Sequence, residues 1–165
     1  MTLRPTAFLV AATLALLAGH GAEAQSSVAF GGLKADPTLP VEVTSERFSV
    51  DTAHGSAVFD GNVVVGQGEM RLAAAEVRVV YATDKKTIKT LVASGGVTLT
   101  NAAESAEAKD AVYTIDTGVV VMTGDVLLTQ GASTMAADKL TINLTSGTGV
   151  LEGSVKTTFA PGGGD

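Results

Sequence analysis

The chain has 165 residues, no cysteine, no tryptophan and a formal net charge of −6. That length suits one domain, and a chain of ~150 residues buries ~68–70% of its unfolded surface. The acidic balance argues against nucleic acid, whose binders draw affinity from basic patches, and a chain without cysteine builds no disulfide.

Residues 1–24 read as a cleaved export signal. Arg4 supplies a positive charge, Ala7 to Ala18 is a 12-residue apolar run, and Ala22-Glu23-Ala24 is a cleavage site before Gln25. The run is too short for the ~20 residues that span a bilayer, so a soluble secreted protein is expected. The absence of Cys at the cleavage site excludes lipoprotein processing. Cleavage leaves 165 − 24 = 141 residues, and losing Arg4 and Glu23 keeps the charge at 10 − 16 = −6. Residues 25–38 read as a flexible N-terminal segment, 39–160 as one β domain and 161–165 as a Gly-rich tail.

Within the domain, apolar and polar residues alternate, as in a half-buried strand. Examples are Val41-Glu42-Val43, Val63 with Val65, Val97-Thr98-Leu99 and Leu140-Thr141-Ile142. After the signal no segment keeps a helical apolar period. Two landmarks recur. Acids expected to open strands stand at Glu46, Glu76, Asp110 and Asp138, at intervals of 30, 34 and 28 residues. Glycines expected to restart strands stand at Gly61, Gly96, Gly124 and Gly153, at intervals of 35, 28 and 29. A period near 30 marks a repeat architecture. Each of about four units is predicted to hold three short strands, with turns at 51–55, 84–86, 116–118 and 145–149. Stacked units bury one apolar face, giving a two-sheet sandwich, jelly roll or partial solenoid with open edge strands at both ends.

Catalytic groups are sparse. After cleavage the one histidine is His54, in a turn, where a solvated side chain is the ordinary outcome. Without Cys or a second His, a zinc site is not expected, and no serine has a matched base. The four repeat acids suggest a carboxylate ladder, perhaps for calcium, or simply solvent-facing corners. The second reading is favoured, because no EF-hand-type run accompanies them and Lys109 and Lys139 lie beside two of them. Gly66-Gln67-Gly68 resembles part of a phosphate loop, but no helix follows it, so it reads as a β-turn. No cofactor and no enzymatic activity are expected.

Phe59-Asp60-Gly61-Asn62-Val63-Val64-Val65-Gly66-Gln67-Gly68, followed by Ala75-Glu76-Val77 and the run to Tyr81, resembles the hallmark of the OstA-like family of lipopolysaccharide-transport proteins. Met122 to Gly131, leading to Ala137-Asp138, is a looser copy. The resemblance covers about Leu39 to Phe159. It implies an all-β antiparallel jelly roll, bent like a taco shell, whose apolar interior shields lipid A acyl chains. It also implies a periplasmic location, head-to-tail homo-oligomers, and partners at each end: an inner-membrane anchored component and the outer-membrane translocon. The interior candidates are Val41, Val43, Val63, Val65, Val97, Leu99, Tyr113, Ile115, Leu140 and Ile142. Residues two apart share a strand face. Leu140 and Ile142 lie one position out of step with Tyr113 and Ile115, a phase that a bulge would restore. The self-association edges are expected at Val41 to Val50 and Val150 to Phe159. Lipopolysaccharide is anionic and so is this chain, so acyl burial at ~25 cal/mol per Å² must dominate binding. Two other readings stand beside this one: a secreted structural β-repeat protein with a filled core, and a carbohydrate-active enzyme with clustered carboxylates.

Overall fold

A computed structural model describes residues 26–29, 33–84, 86–101 and 104–159. Among them lie eleven strands: β1 (Ser26–Ala29), β2 (Glu42–Thr44), β3 (Arg47–Asp51), β4 (Ser56–Gln67), β5 (Met70–Tyr81), β6 (Ile88–Asn101), β7 (Glu104–Thr114), β8 (Val119–Gln130), β9 (Ser133–Asn143), β10 (Thr148–Glu152) and β11 (Lys156–Thr158). They form one sheet in the order β1-β10-β9-β8-β7-β6-β5-β4-β2, with β3 beside β4 and β11 beside β9. Every pairing is antiparallel.

The strands β4 to β9 are long, and each bends at its middle. The ladder register slips there, at Asp60/Val63, Ala73/Glu76, Ser94/Val97, Glu107/Asp110 and Thr123/Val126. Pairs of consecutive residues take positive φ at the bends: Gly61 and Asn62, Gly95 and Gly96, Gly124 and Asp125, Gly153 and Ser154. An inserted residue bends its strand and increases the local twist. A row of such bulges at one level folds the sheet over itself. The two layers of the jelly roll are therefore halves of one continuous sheet, joined along the bend.

This geometry corrects three expectations. Three of the four repeat acids do not open strands: Glu46 immediately precedes β3, but Glu76, Asp110 and Asp138 lie inside β5, β7 and β9. Each unit holds two long bent strands rather than three short ones, because the run through a glycine is one strand turning a corner. The second repeat glycine is Gly95, not Gly96. A Cβ on Gly95 would sit 2.6 Å from the Ala75 Cβ, as one on Gly61 would sit 3.0 Å from the Glu46 Cβ, on Gly124 2.9 Å from the Lys109 Cβ and on Gly153 2.8 Å from the Asp138 Cβ. The glycine interval is then 34, 29 and 29 residues. Each glycine faces its own landmark across the ladder, where two backbones approach too closely for a side chain.

Apolar side chains from both layers meet between them. Ala57, Val79, Leu91, Tyr113, Val120 and Ile142 are successive partners along one row. Val65, Leu72, Leu99, Ala106, Leu128 and Met135 form another, in the opposite layer. Both rows are buried. Away from the bend each layer ends in a lip of hairpin turns. Asp51, Asp84 and Asn143 cap turns of one lip by accepting backbone N–H groups two and three residues on, as short polar side chains do in turns.

Parts of residues 25–38, expected as a lead-in to the domain, lie against the sheet. β1 pairs with β10, at the far end of the sheet from β2. The chain then runs back to β2 past Leu33, which is fully buried in the core. Consequently β10 is not an edge: the C-terminal end of the sheet presents β11 in one layer and β1 in the other. Residues 1–24 and 161–165 lie outside the described residues.

Candidate functional site

The interior between the layers gathers the candidate residues. Val63, Val65, Val97, Leu99, Tyr113, Leu140 and Ile142 are at most 1% exposed. Val41, Val43 and Ile115 are half-buried against the same core. Val43, Val63, Val65, Val97 and Leu99 belong to the layer with β2, and Tyr113, Leu140 and Ile142 to the layer with β3. The apparent phase slip between the third and fourth units disappears in the ladder. Val120 pairs with both Tyr113 and Ile142, while Met122 pairs with both Ala111 and Leu140. The slip came from aligning Asp138 with Asp110; the structural equivalent of Asp138 is Lys109, so no bulge is needed to restore the phase.

Sequence reasoning missed more interior residues than it found. Leu72, Leu91, Met122, Leu128 and Leu144 are buried too. In the glycine-free strands consecutive inward residues stand three apart across the bend, as Ala74 and Val77, Ala108 and Ala111, or Ala137 and Leu140. That step breaks the alternation in β5, β7 and β9.

A polar rim accompanies the apolar rows at the lip of the β2 layer. The Tyr113 hydroxyl reaches across the interior and donates to Gln67 Oε1 at 2.6 Å. Burial pushes the Tyr113 phenol above its ordinary pKa, so it remains a neutral donor. Gln67 Nε2 donates to the Leu39 carbonyl at 2.9 Å. Asn101 Nδ2 donates to the Lys34 carbonyl, and Gln130 Nε2 donates to Glu104 Oε1 at 3.0 Å. Asn101 Oδ1 and Glu104 Oε2 are buried and accept no hydrogen bond among the described residues.

The outer surface holds the acids. Glu46, Asp110 and Asp138 are exposed along the bend and Glu76 is half-exposed. Lys109 pairs with Asp125 at 2.6 Å and Arg47 with Asp60 at 3.0 Å. Among the described residues no three His, Cys, Asp or Glu side chains are grouped to hold a metal. His54 is exposed, its Nδ1 2.7 Å from Asp51 Oδ2.

The family described as "LptA/(LptD N-terminal domain) LPS transport protein" matches the chain over residues 42–148. The chain belongs to that family. The OstA-like resemblance carried by Phe59 to Gly68 therefore stands, and a member of this transport family is not an enzyme. Among solved structures, one similar in fold is "LptH, the LptA homologous periplasmic component of the conserved lipopolysaccharide transport device from Pseudomonas aeruginosa". It is 17% identical, with a TM-score of 0.68, over 77% of this chain and 99% of that one. No curated protein matches the chain significantly. The match to the LPS-transport family begins at Glu42, the first residue of β2. It takes in β2 to β9 whole and leaves the N-terminal segment outside.

Proposed function

We propose that this chain is a periplasmic carrier of lipopolysaccharide that holds lipid A acyl chains between its two layers and joins like domains end to end between the membranes. Residues 1–24 serve as the cleaved export signal. The observation that carries the reading is the continuity of the inward rows. Apolar side chains follow one another from β4 to β9 without a charged residue between them, a track running the width of the sheet. Val41, Val43, Val63, Val65, Val97, Leu99, Tyr113, Ile115, Leu140 and Ile142 line it. Burying acyl surface there contributes ~25 cal/mol per Å², while anionic headgroups remain in water beyond the lips.

The two sheet ends support assembly. β2 and β3 at one end and β11 at the other have no strand on their outer side among the described residues, which invites β-augmentation. Phe48 and Val50 on β3 are 54% and 58% exposed, and Phe159 beyond β11 is 74% exposed. A head-to-tail contact of this kind is heterologous and open-ended. Its end partners are an inner-membrane anchored component and the outer-membrane translocon.

Photocrosslinking in cells tests the cargo. A crosslinking residue at Leu99 or Tyr113 is expected to yield lipopolysaccharide adducts, and one at the outward Val64 or Val112 is not. Adducts confined to the outward positions would overturn the reading. The near-zero exposure of the interior side chains favours one rival, a structural repeat protein with a filled core; absence of adducts from every position would establish it.

A further inference from the structure

Residues 33–39 run along the lips and touch both of them. Leu33 inserts into the core. The Ala35 N–H donates to the Leu144 carbonyl at 3.1 Å, in the β3 layer. The Lys34 and Leu39 carbonyls accept from Asn101 and Gln67, in the β2 layer. The segment thus bridges both lips while its own Asp36 and Thr38 bond to each other. Apart from Leu33 its side chains are exposed or half-exposed. A segment with so few buried contacts opens at low cost compared with the sheet.

The chemistry of these contacts is that of an acylated ligand: one aliphatic group in the core, and carbonyl oxygens on the amides at the lip. Two buried acceptors beside those amides, Asn101 Oδ1 and Glu104 Oε2, have no donor among the described residues. Unmet buried acceptors are costly. A ligand with carbonyls alone would repeat what the segment does. One that also carries hydroxyl or amide N–H groups next to its carbonyls would satisfy the acceptors too.

Resting on the carrier reading, we propose that residues 33–39 are a strap standing in the empty chain where the lipid goes, and that Gln67 and Asn101 recognise the carbonyls of amide- or ester-linked acyl chains once the strap leaves. The exchange conserves the hydrogen bonds that Gln67 and Asn101 donate, while the Leu144 carbonyl gives up the Ala35 N–H. Leu33 gives up its place to an acyl chain, and Glu104 and Asn101 Oδ1 gain donors. Sealed by the strap, the interior stays dry between cargoes.

Because the chain has no cysteine, a single engineered disulfide locks the strap: Ala35→Cys with Leu144→Cys in the full mature chain. The probe is fluorescently labelled lipid A. The oxidised form is expected to bind at least tenfold more weakly than the same protein reduced, which controls for the lost leucine. Equal affinity in the two forms overturns the strap. No binding by the unsubstituted chain overturns the carrier reading itself, and the strap with it. For the amides, Asn101→Leu is expected to lower several-fold the ratio of affinities for lipid A and for an ether-linked analogue without acyl carbonyls. The ratio is insensitive to a loosened strap, so an unchanged ratio overturns the assignment. In the unsubstituted chain, lipid A is also expected to speed hydrogen exchange at the Ala35 amide; unchanged protection on binding counts against displacement.

Discussion

At Gly95 two constraints coincide. Its φ of +83° is strained for any L side chain, and a Cβ there would lie 2.6 Å from the Ala75 Cβ, which no rotation can move aside. Gly95→Ala is expected to cost about 2–5 kcal/mol, from ~1–2 for the left-handed backbone and ~1–3 for overpacking. Gly131→Ala, with φ +56° and open space around it, should show only the first ~1–2 kcal/mol; urea unfolding of both variants gives the comparison. Tyr113→Phe strands the buried Gln67 Oε1 and should cost ~1–3 kcal/mol, read from the same transition. Asp84 accepts from the Lys86 and Thr87 N–H groups and the Thr87 hydroxyl. These bonds, led by the hydroxyl, lower its pKa to about 2. A lowered carboxylate stabilises fully above its unfolded pKa of ~3.9 and loses that contribution as pH falls through about 2. Carbon-detected titration should place the Asp84 midpoint well below that of an unpaired aspartate, and Asp84→Ala should flatten the acid-side slope of stability in that window.

The strand halves were legible and the bends were not. Within each half the apolar parity is plain, as in Val63 with Val65 or Leu140 with Ile142, because a pleated strand alternates its faces. Across a bend the same chain looks like a strand ending and another beginning: glycine, a polar residue and a new apolar run. That is also how a hairpin turn looks, which is why each unit seemed to hold three strands. The distinguishing mark was present in the glycine-free strands, where inward residues step by three at Ala74/Val77 and again at Ala108/Ala111. Such a step has no place in a turn and is the trace of a bulge. Gly95 and Gly96 could not be ranked from sequence, since only the approach of Ala75 tells them apart. The strap was illegible for a different reason. Gly31, Gly32, Pro37 and Pro40 have the composition of a linker, and nothing in one short polar segment announces that Leu33 has a core to enter.

For the molecule as a whole, the proposed head-to-tail assembly rests on the sheet's ends. Thr157→Pro removes a ladder donor from β11 and is expected to lower the sedimentation coefficient of concentrated protein relative to the unsubstituted chain. An unaltered concentration dependence would exclude β11 from the contact. The location of β1 adds a second consideration. Its four residues complete the ladder of β10 within their own chain, yet nothing in that pairing requires the two strands to share a molecule. A β1 released from one copy can pair with β10 of a neighbour and re-form the same four-residue register. Strand exchange of this kind conserves every ladder bond, so the free-energy difference between closed monomer and linked copies reduces to concentration. Tethering supplies β1 to its own β10 at an effective concentration on the order of millimolar for a short flexible linker. Free copies compete with the tethered strand only as they approach that level. In the proposed assembly, a crowded compartment, or a membrane protein holding copies close together, would set the length of the chain of domains without any change in the affinity of one strand for another.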